Sequence, residues 1–156
     1  MSSSVPSPAR IVRQRAAGWR RGDAVIVDRT TRFLGNPFRL DDAYDLKLAE
    51  RGDRAAAHEA VVELYRQWLA GDRAHLDRDE DDLRREYVLE HLARLRGTDL
   101  ACFCEARLRC HAEVLLQWAN AEPATTKQYI DLARHRVDAC RARRGQTPLR
   151  HLRDAT

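Results

Sequence analysis

Three of the four cysteines and one histidine lie within ten residues, from Cys102 to His111. Cys102 and Cys104 are two residues apart, and Cys110 is followed directly by His111. Thiolate sulfurs and imidazole nitrogens are the usual protein ligands of zinc, and a thiol near a histidine can also act as a nucleophile with its base. The segment therefore has two chemical interpretations, a metal centre and a reactive thiol.

The metal interpretation takes Cys102, Cys104, Cys110 and His111 as the ligands of a tetrahedral zinc ion. On a strand, Cys102 and Cys104 project from the same face. Neighbouring residues in a regular helix diverge by about 100°, so Cys110 and His111 share one metal only if the chain is irregular there. The segment also lacks the paired C-x2-C knuckles of zinc ribbons, so zinc stands as an alternative to thiol chemistry.

The thiol interpretation takes Cys110 and His111 as catalytic residues. The helix that follows Cys110 would place its thiol at the positive end of the helix dipole, close to Arg107 and Arg109, and both effects lower a thiol pKa. His111 would accept or relay a proton. Adjacent residues in a helix make a poor nucleophile–base pair, so a conventional dyad does not follow.

A third interpretation needs no covalent step. Backbone N–H groups at the helix start, together with Arg107 and Arg109, would bind a phosphate or carboxylate. The loop Gly35, Asn36 and Pro37 would face the same ligand, with Asn36 hydrogen-bonding to a base or a sugar.

The cysteines also admit a purely structural interpretation as small apolar fillers of the core. This suits Cys104 best among the clustered three, because Cys102 or Cys104 must at least partly face a core. Cys140 lies on the apolar face of a predicted helix, so it is expected to pack.

Short strands precede both loops. Val25, Ile26 and Val27 form a β-branched stretch typical of a strand, and Ile11-Val12 and Asp99–Cys104 are further candidates. In a parallel sheet, ligands bind outside the carboxyl ends of the strands. We therefore expect the loop containing Asn36 and the loop that ends at His111 to converge on one pocket.

Helical periodicity dominates the rest of the chain. Apolar residues recur every three or four positions over 57–68, 83–95 and 111–120, and a last helix is predicted from Thr125 or Thr126 to Gly145. The combination predicts an α/β fold, with a small mixed or parallel sheet of about three to four strands flanked by helices. A C-terminal helical extension completes it.

The chain has 156 residues, the length of one domain, and a net charge of +4 that is unevenly placed. Residues 124–156 contain eight Lys and Arg against three Asp and Glu, so the whole surplus lies there. We expect a flexible leader over 1–8, a single α/β domain over 9–121 and a basic helix and tail over 122–156. The basic segment is either a nucleic-acid contact or a solvated helix.

No apolar run approaches the length of a membrane span, and the amino terminus lacks the apolar core of a signal peptide. These features predict a cytoplasmic protein without a membrane partner, located in the host cytoplasm if a phage encodes it. In that reducing compartment, cysteines favour metal binding or thiol chemistry over disulfides.

Several short motifs resemble, in order and spacing, the domain of unknown function 4326 family of bacteria and their phages. The matching elements are Gly18-Trp19, Ala24–Val27, Gly35–Phe38, Leu64–Leu69, Arg96-Gly97, Leu100–Cys104, Cys110–Leu116 and Ala119-Asn120. Phe103 replaces a common tryptophan, Glu113 replaces a common aspartate, and residues 40–56 are longer than usual. The resemblance covers about residues 10–120 and implies no established activity.

The expected function is therefore drawn from the residues. We expect a domain that binds a small anionic or nucleotide-like ligand at the strand-end pocket, either as a binding protein or as an enzyme of nucleotide or nucleic-acid metabolism. The alternative is a non-enzymatic module, stabilised by zinc or not, that binds nucleic acid or protein through its basic segment.

Overall fold

The computed structural model describes residues 7–31 and 33–155, and most of the predicted leader lies outside them. These residues form three strands and six helices. The strands are β1 (Arg10–Val12), β2 (Val25–Ile26) and β3 (Leu100–Cys102). The helices are α1 (Leu40–Asp45), α2 (Arg54–Leu69), α3 (Asp79–Leu95), α4 (Ala112–Asn120), α5 (Pro123–Arg143) and α6 (Leu149–Asp154).

The sheet is parallel, with β3 between β1 and β2. Val12 pairs with Cys102, and Ile26 pairs with Ala101, so all three strands end at the same edge. All three residues of the central strand are buried, as expected for a strand paired on both sides. The predicted α/β class, the small sheet and the flanking helices are confirmed.

Helices α1, α2 and α3 lie between β2 and β3 in the chain. Asp53 begins α2 by accepting a hydrogen bond from the backbone N–H of Ala56 at 3.0 Å. The apolar face of α2 carries Trp68, which is buried in the core. Gly71, with φ of +102°, follows this helix, and a Cβ atom there would lie 2.6 Å from the carbonyl oxygen of Ala133. Only glycine permits this approach between α2 and α5.

The last helix of the prediction begins earlier than Thr125. It starts at Pro123, where proline is tolerated in the first turn, and the Thr126 hydroxyl instead donates to the carbonyl oxygen of Trp118 at 2.6 Å. The hydroxyl therefore ties α5 to the end of α4. The short helix α6 was not predicted, because its six residues are too few to show a period.

Most of the paired cations in the basic segment contact carboxylates in α3 or just before it. Asp82 is fully buried and accepts ion pairs from Arg73, Arg85 and Arg141, at N–O distances between 2.7 and 3.0 Å. Five of the eight cationic residues in 124–156 pair with carboxylates, namely Lys127, Arg134, Arg141, Arg144 and Arg153. Much of the basic surplus is therefore compensated within the fold.

None of the described helices combines the length and the apolar composition that a membrane crossing requires.

Candidate functional site

The carboxyl ends of the three strands carry the candidate site. Arg13 follows β1 and Asp28 lies just beyond β2, and their side chains form an ion pair at 3.0 Å. The Thr30 hydroxyl and backbone N–H also donate to Asp28. Burial alone would raise the pKa of Asp28, but these hydrogen bonds and the Arg13 charge lower it on balance. The carboxylate therefore joins two strand ends.

The loop after β3 is held by one side chain from the neighbouring strand. The guanidinium of Arg10 donates to the carbonyl oxygens of Cys104 at 3.1 Å, Ala106 at 3.0 Å and Leu108 at 2.8 Å. The planar fork of arginine suits several carbonyls at once. Arg10 thereby fixes the path of the chain from the strand to Cys110.

Gly35 is required by a close backbone approach. A Cβ atom at this position would lie 2.8 Å from the Cα atom of Arg29 and 2.9 Å from its nitrogen, closer than any side chain permits. The carbonyl oxygen of Gly35 accepts a hydrogen bond from Arg84 at 2.7 Å. The glycine therefore brings its loop against the segment that leaves β2.

Asn36 attaches the same loop to α2. Its Nδ2 atom donates to the carbonyl oxygen of Val61 at 3.2 Å, and its Oδ1 atom accepts from the backbone N–H of Phe38 at 2.9 Å. The residue is buried and lines the cavity described below. Its polar atoms are used within the protein, so its geometry favours a structural role over contact with a ligand.

The two loops meet at His111. Its Nε2 atom lies 2.8 Å from the carbonyl oxygen of Val27 and 2.9 Å from that of Leu34. Because carbonyl oxygens only accept, Nε2 must carry the proton, and Nδ1 of the neutral ring keeps its lone pair. Burial lowers the pKa of His111, which favours this neutral form. The predicted convergence of the two loops is present.

The bare Nδ1 atom of His111 faces buried sulfur. It lies 3.6 Å from Sγ of Cys110, which in turn lies 3.1 Å from Sγ of Cys102. The two cysteines are free rather than disulfide-bonded, and all three residues are buried. One ligand atom from each lies within 4.8 Å of the others, so this cluster (Cys102, Cys110 and His111) can hold a metal ion.

Cys110 and His111 face the same cluster from the turn that leads into α4. Helix α4 begins at Ala112, although the backbone angles of His111 (φ −58°, ψ −23°) are already helical. The Glu113 carboxylate accepts from the backbone N–H of Cys110 at 2.7 Å and thus caps the start of α4. That carboxylate also occupies part of the anion position predicted at the helix start.

One of the two sulfur distances in the cluster already matches a tetrahedral ion, and the other does not. Zinc at about 2.3 Å from sulfur and about 2.1 Å from nitrogen would separate those atoms by about 3.6 Å, the distance between Cys110 and His111. Two sulfurs on the same ion would be about 3.8 Å apart, so Cys102 and Cys110 must separate by about 0.7 Å.

Cys104 differs from the other two clustered thiols. It is partly exposed, whereas Cys102 and Cys110 are buried. The neighbouring thiols of Cys102 and Cys110 lower the pKa of Cys104, and the charges of Arg10 and Arg29 add to this effect. The thiols of Cys102 and Cys104, together with burial, raise the pKa of Cys110. Cys104 is therefore the most accessible of the three thiols, whereas the sequence favours Cys110 as the reactive one.

A cavity of about 410 Å³ adjoins the cluster. All four residues of the sequence-predicted Cys3His set line it, and its arginines come from four different segments. These arginines are Arg15, Arg29, Arg54 and Arg109. A volume of this size suits a small-molecule ligand, and the surplus of arginines favours an anionic one.

Only some of the predicted anion-binding residues line the cavity. Arg109 and Asn36 line the cavity, whereas Gly35, Pro37 and Arg107 do not. The Arg107 side chain is exposed and pairs with Glu105 at 3.0 Å. Gly35 acts through backbone packing, as described above.

The sequence did not point to three of the cavity arginines or to His58. Arg29 follows the end of β2 by three residues, a position that the strand-end rule could have singled out. Arg54 and His58 are four residues apart on α2, which places them on one helix face, but neither belongs to a motif. Arg15 lies in an irregular segment, where no sequence motif or periodicity singles it out.

The fold and the site define a small α/β protein with a Cys-Cys-His cluster at the carboxyl edge of a parallel sheet. The chain belongs to the family described as domain of unknown function (DUF4326), whose model matches residues 11–121. This agrees with the resemblance found in the sequence. Comparison with curated proteins gave no match, and neither did comparison with solved structures.

Proposed function

We propose that this protein binds a zinc ion through Cys102, Cys110 and His111 and uses the adjoining cavity to bind a small anionic ligand. The observation that carries the proposal is the orientation of His111. Its Nε2–H group is committed to two backbone carbonyls, so its only lone pair is on Nδ1, 3.6 Å from Sγ of Cys110 in the buried cluster. Metal-binding histidines typically donate their other N–H to a carbonyl or carboxylate in this way.

Zinc is the metal that this donor set favours. Two sulfurs and one imidazole nitrogen exclude magnesium and calcium, which require oxygen ligands. Three protein ligands would leave one position for a water or a ligand group, whereas a fourth bond from Cys104 would close the site. Cys104 lies next to the site, since it lines the same cavity and its backbone N–H donates to Sγ of Cys102 at 3.3 Å.

The cavity supports an anion as the ligand. The Arg29 guanidinium donates to the carbonyl oxygens of Asn36 and Phe38, and both acceptors are uncharged. Within the described residues no carboxylate lies within 4.0 Å of it, so its charge is available to a ligand. A nucleotide-like molecule fits this description because it combines a phosphate with a larger body.

The catalytic roles of Cys110 and His111 stay predictions that compete with zinc. A nitrogen lone pair that binds the ion cannot at the same time take up a proton, and a sulfur that binds the ion is a weaker nucleophile than a free thiolate. If the protein is an enzyme of nucleotide metabolism, the thiol left for chemistry is Cys104, and His111 acts only through the metal.

A cobalt titration tests the proposal on the full-length, reduced and metal-free protein. Cobalt(II) in a thiolate site gives near-ultraviolet sulfur-to-metal charge-transfer bands and strong visible bands if tetrahedral. We expect both to saturate at one equivalent and to disappear on adding excess zinc. Cys110→Ser should weaken the charge-transfer band, whereas Cys140→Ser, remote from the cluster, should leave it intact. Weak octahedral bands in the wild type would overturn the zinc site.

A further inference from the structure

His58 carries a hydrogen-bonding atom that the protein does not use. The residue is 7% exposed and lies in the second turn of α2. Its Nδ1 atom is 3.2 Å from the carbonyl oxygen of Arg109, so Nδ1 holds the proton of the neutral ring. In the part of the chain that the structure describes, Nε2 is buried without any hydrogen-bond partner.

An orphaned acceptor of this kind is costly. A buried polar atom without a partner destabilises a protein by about 1–3 kcal/mol. Of the four such atoms in the described residues, only Nε2 of His58 belongs to a residue that lines the cavity. His58 lines the same cavity as Arg29 and the Cys-Cys-His cluster. The cavity therefore combines an available cation with an unused acceptor.

From this combination we infer that the ligand is a hydroxyl-bearing phosphate ester, whose phosphate pairs with Arg29 and whose hydroxyl donates to Nε2 of His58. The inference rests on the proposed anion binding and names its ligand class. An anion without a hydroxyl hydrogen, such as sulfate, would satisfy Arg29 but leave Nε2 without a donor. A phosphorylated polyol, including the sugar phosphate part of a nucleotide, satisfies both.

The test compares two probes that differ in their hydroxyl groups. Glycerol 3-phosphate and propyl phosphate have the same carbon chain and the same phosphate, but only the first has hydroxyls. Isothermal titration of the zinc-loaded, full-length protein should give a Kd about 5- to 10-fold lower for glycerol 3-phosphate, the value of one net hydrogen bond. Equal affinities in the wild type would overturn the inference.

A substitution at His58 tests whether the preference for glycerol 3-phosphate depends on its Nε2 atom. His58→Asn keeps an N–H near the position of Nδ1 for the Arg109 carbonyl and removes Nε2. We expect it to abolish the preference for glycerol 3-phosphate while leaving the Kd of propyl phosphate unchanged. A preference that persists in a folded His58→Asn protein would contradict the role of Nε2. If that variant does not fold, His58→Gln replaces it, since its amide oxygen can accept near Nε2 and should retain part of the preference.

Arg29→Gln provides the matched control. It should weaken both phosphate esters by the same factor and leave their ratio unchanged; a change in the ratio would contradict the separate roles of Arg29 and His58. If neither ester nor inorganic phosphate binds the wild type, the proposed anion binding itself fails. That outcome is distinct from binding without a hydroxyl preference, which removes only the present inference.

Discussion

The Nδ1 atom of His111 lies 3.6 Å from Sγ of Cys110, while the opposite nitrogen of the same ring bonds to the carbonyl oxygens of Val27 and Leu34. One ring thus joins three elements: the end of β2, the loop after it and the start of α4. The edge of Tyr65 packs against this ring, with centroids 5.1 Å apart. The ligand geometry is therefore fixed by the fold.

His111→Gln should separate the two roles of this ring. The glutamine amide can still donate to the carbonyls of Val27 and Leu34, but it offers no nitrogen lone pair to a metal. We expect the circular dichroism spectrum to be retained and the zinc affinity to fall at least 10- to 100-fold, measured by competition with a chromophoric chelator. His135→Gln, on the exposed face of α5, should change neither; unchanged affinity in His111→Gln would remove the residue from the ligand set.

Asp82→Asn should be among the most destabilising substitutions in the chain. Asp82 is fully buried and forms ion pairs with three arginines. Removing its charge leaves Arg73, Arg85 and Arg141 as buried cations without their shared counter-charge. We expect a loss of about 3–5 kcal/mol in the free energy of unfolding, measured in urea.

The exposed pair of Lys127 and Asp131 supplies the control for that measurement. Asp131→Asn removes a surface ion pair and should cost less than about 1 kcal/mol. Similar losses for Asp82→Asn and Asp131→Asn would show that the buried cluster does not hold the basic segment against α3.

Gly35→Ala should destabilise the protein by about 1–3 kcal/mol, because the added Cβ atom would meet the backbone of Arg29 and neither segment can rotate away. The forced shift should also move the Arg29 guanidinium and weaken phosphate binding. Urea unfolding and phosphate titration measure the two effects. If the free energy of unfolding of Gly35→Ala were within about 0.5 kcal/mol of the wild-type value, as is usual for surface substitutions, the close approach would be contradicted.

The lowered pKa of Asp28 predicts a loss of stability in acid. Its pKa is lower in the folded protein than in the unfolded chain, despite burial, because Thr30 and Arg13 stabilise the carboxylate. This contribution is therefore complete above the unfolded pKa of about 4 and is lost as the pH falls through the lowered folded value. This contribution can be measured as the change in the free energy of unfolding in urea between about pH 6 and about pH 3.

Asp28→Asn isolates that contribution. The variant should be less stable than the wild type at neutral pH, and the difference should shrink as the pH falls. Asp45→Asn, which removes an exposed pair with Arg51, serves as the comparison and should show little difference at any pH. A difference between wild type and Asp28→Asn that stays constant in acid would refute the lowered pKa.

The sequence was sufficient to place the site but not to describe it. Parallel strands end at one edge, so β-branched stretches followed by Gly35 and Cys104 predict that the two loops meet there. The relation between Cys110 and His111 could not be predicted, because it depends on the turn at Cys110 that leads into α4. The pattern from 111 onwards predicts a helical His111, and its backbone angles are helical, although α4 itself begins at Ala112.

Side-chain partners across long separations were also beyond the sequence. The acidic stretch from Asp77 to Asp82 suggests only a favourable interaction with its own helix dipole, whereas Asp82 lies 59 residues from its partner Arg141. His58 lacks a motif because its partner is a backbone carbonyl 51 residues away. Such contacts follow from the packing of whole helices, which periodicity does not specify.

Zinc content tests the central claim most directly. The full-length protein, purified under reducing conditions with zinc in the medium and then dialysed, should contain one zinc per chain by elemental analysis. The double variant Cys102→Ser with Cys110→Ser should contain almost none, and Cys140→Ser should match the wild type. A wild-type protein that is folded, reduced and free of zinc, and whose thermal stability does not change when zinc is added, would contradict the account.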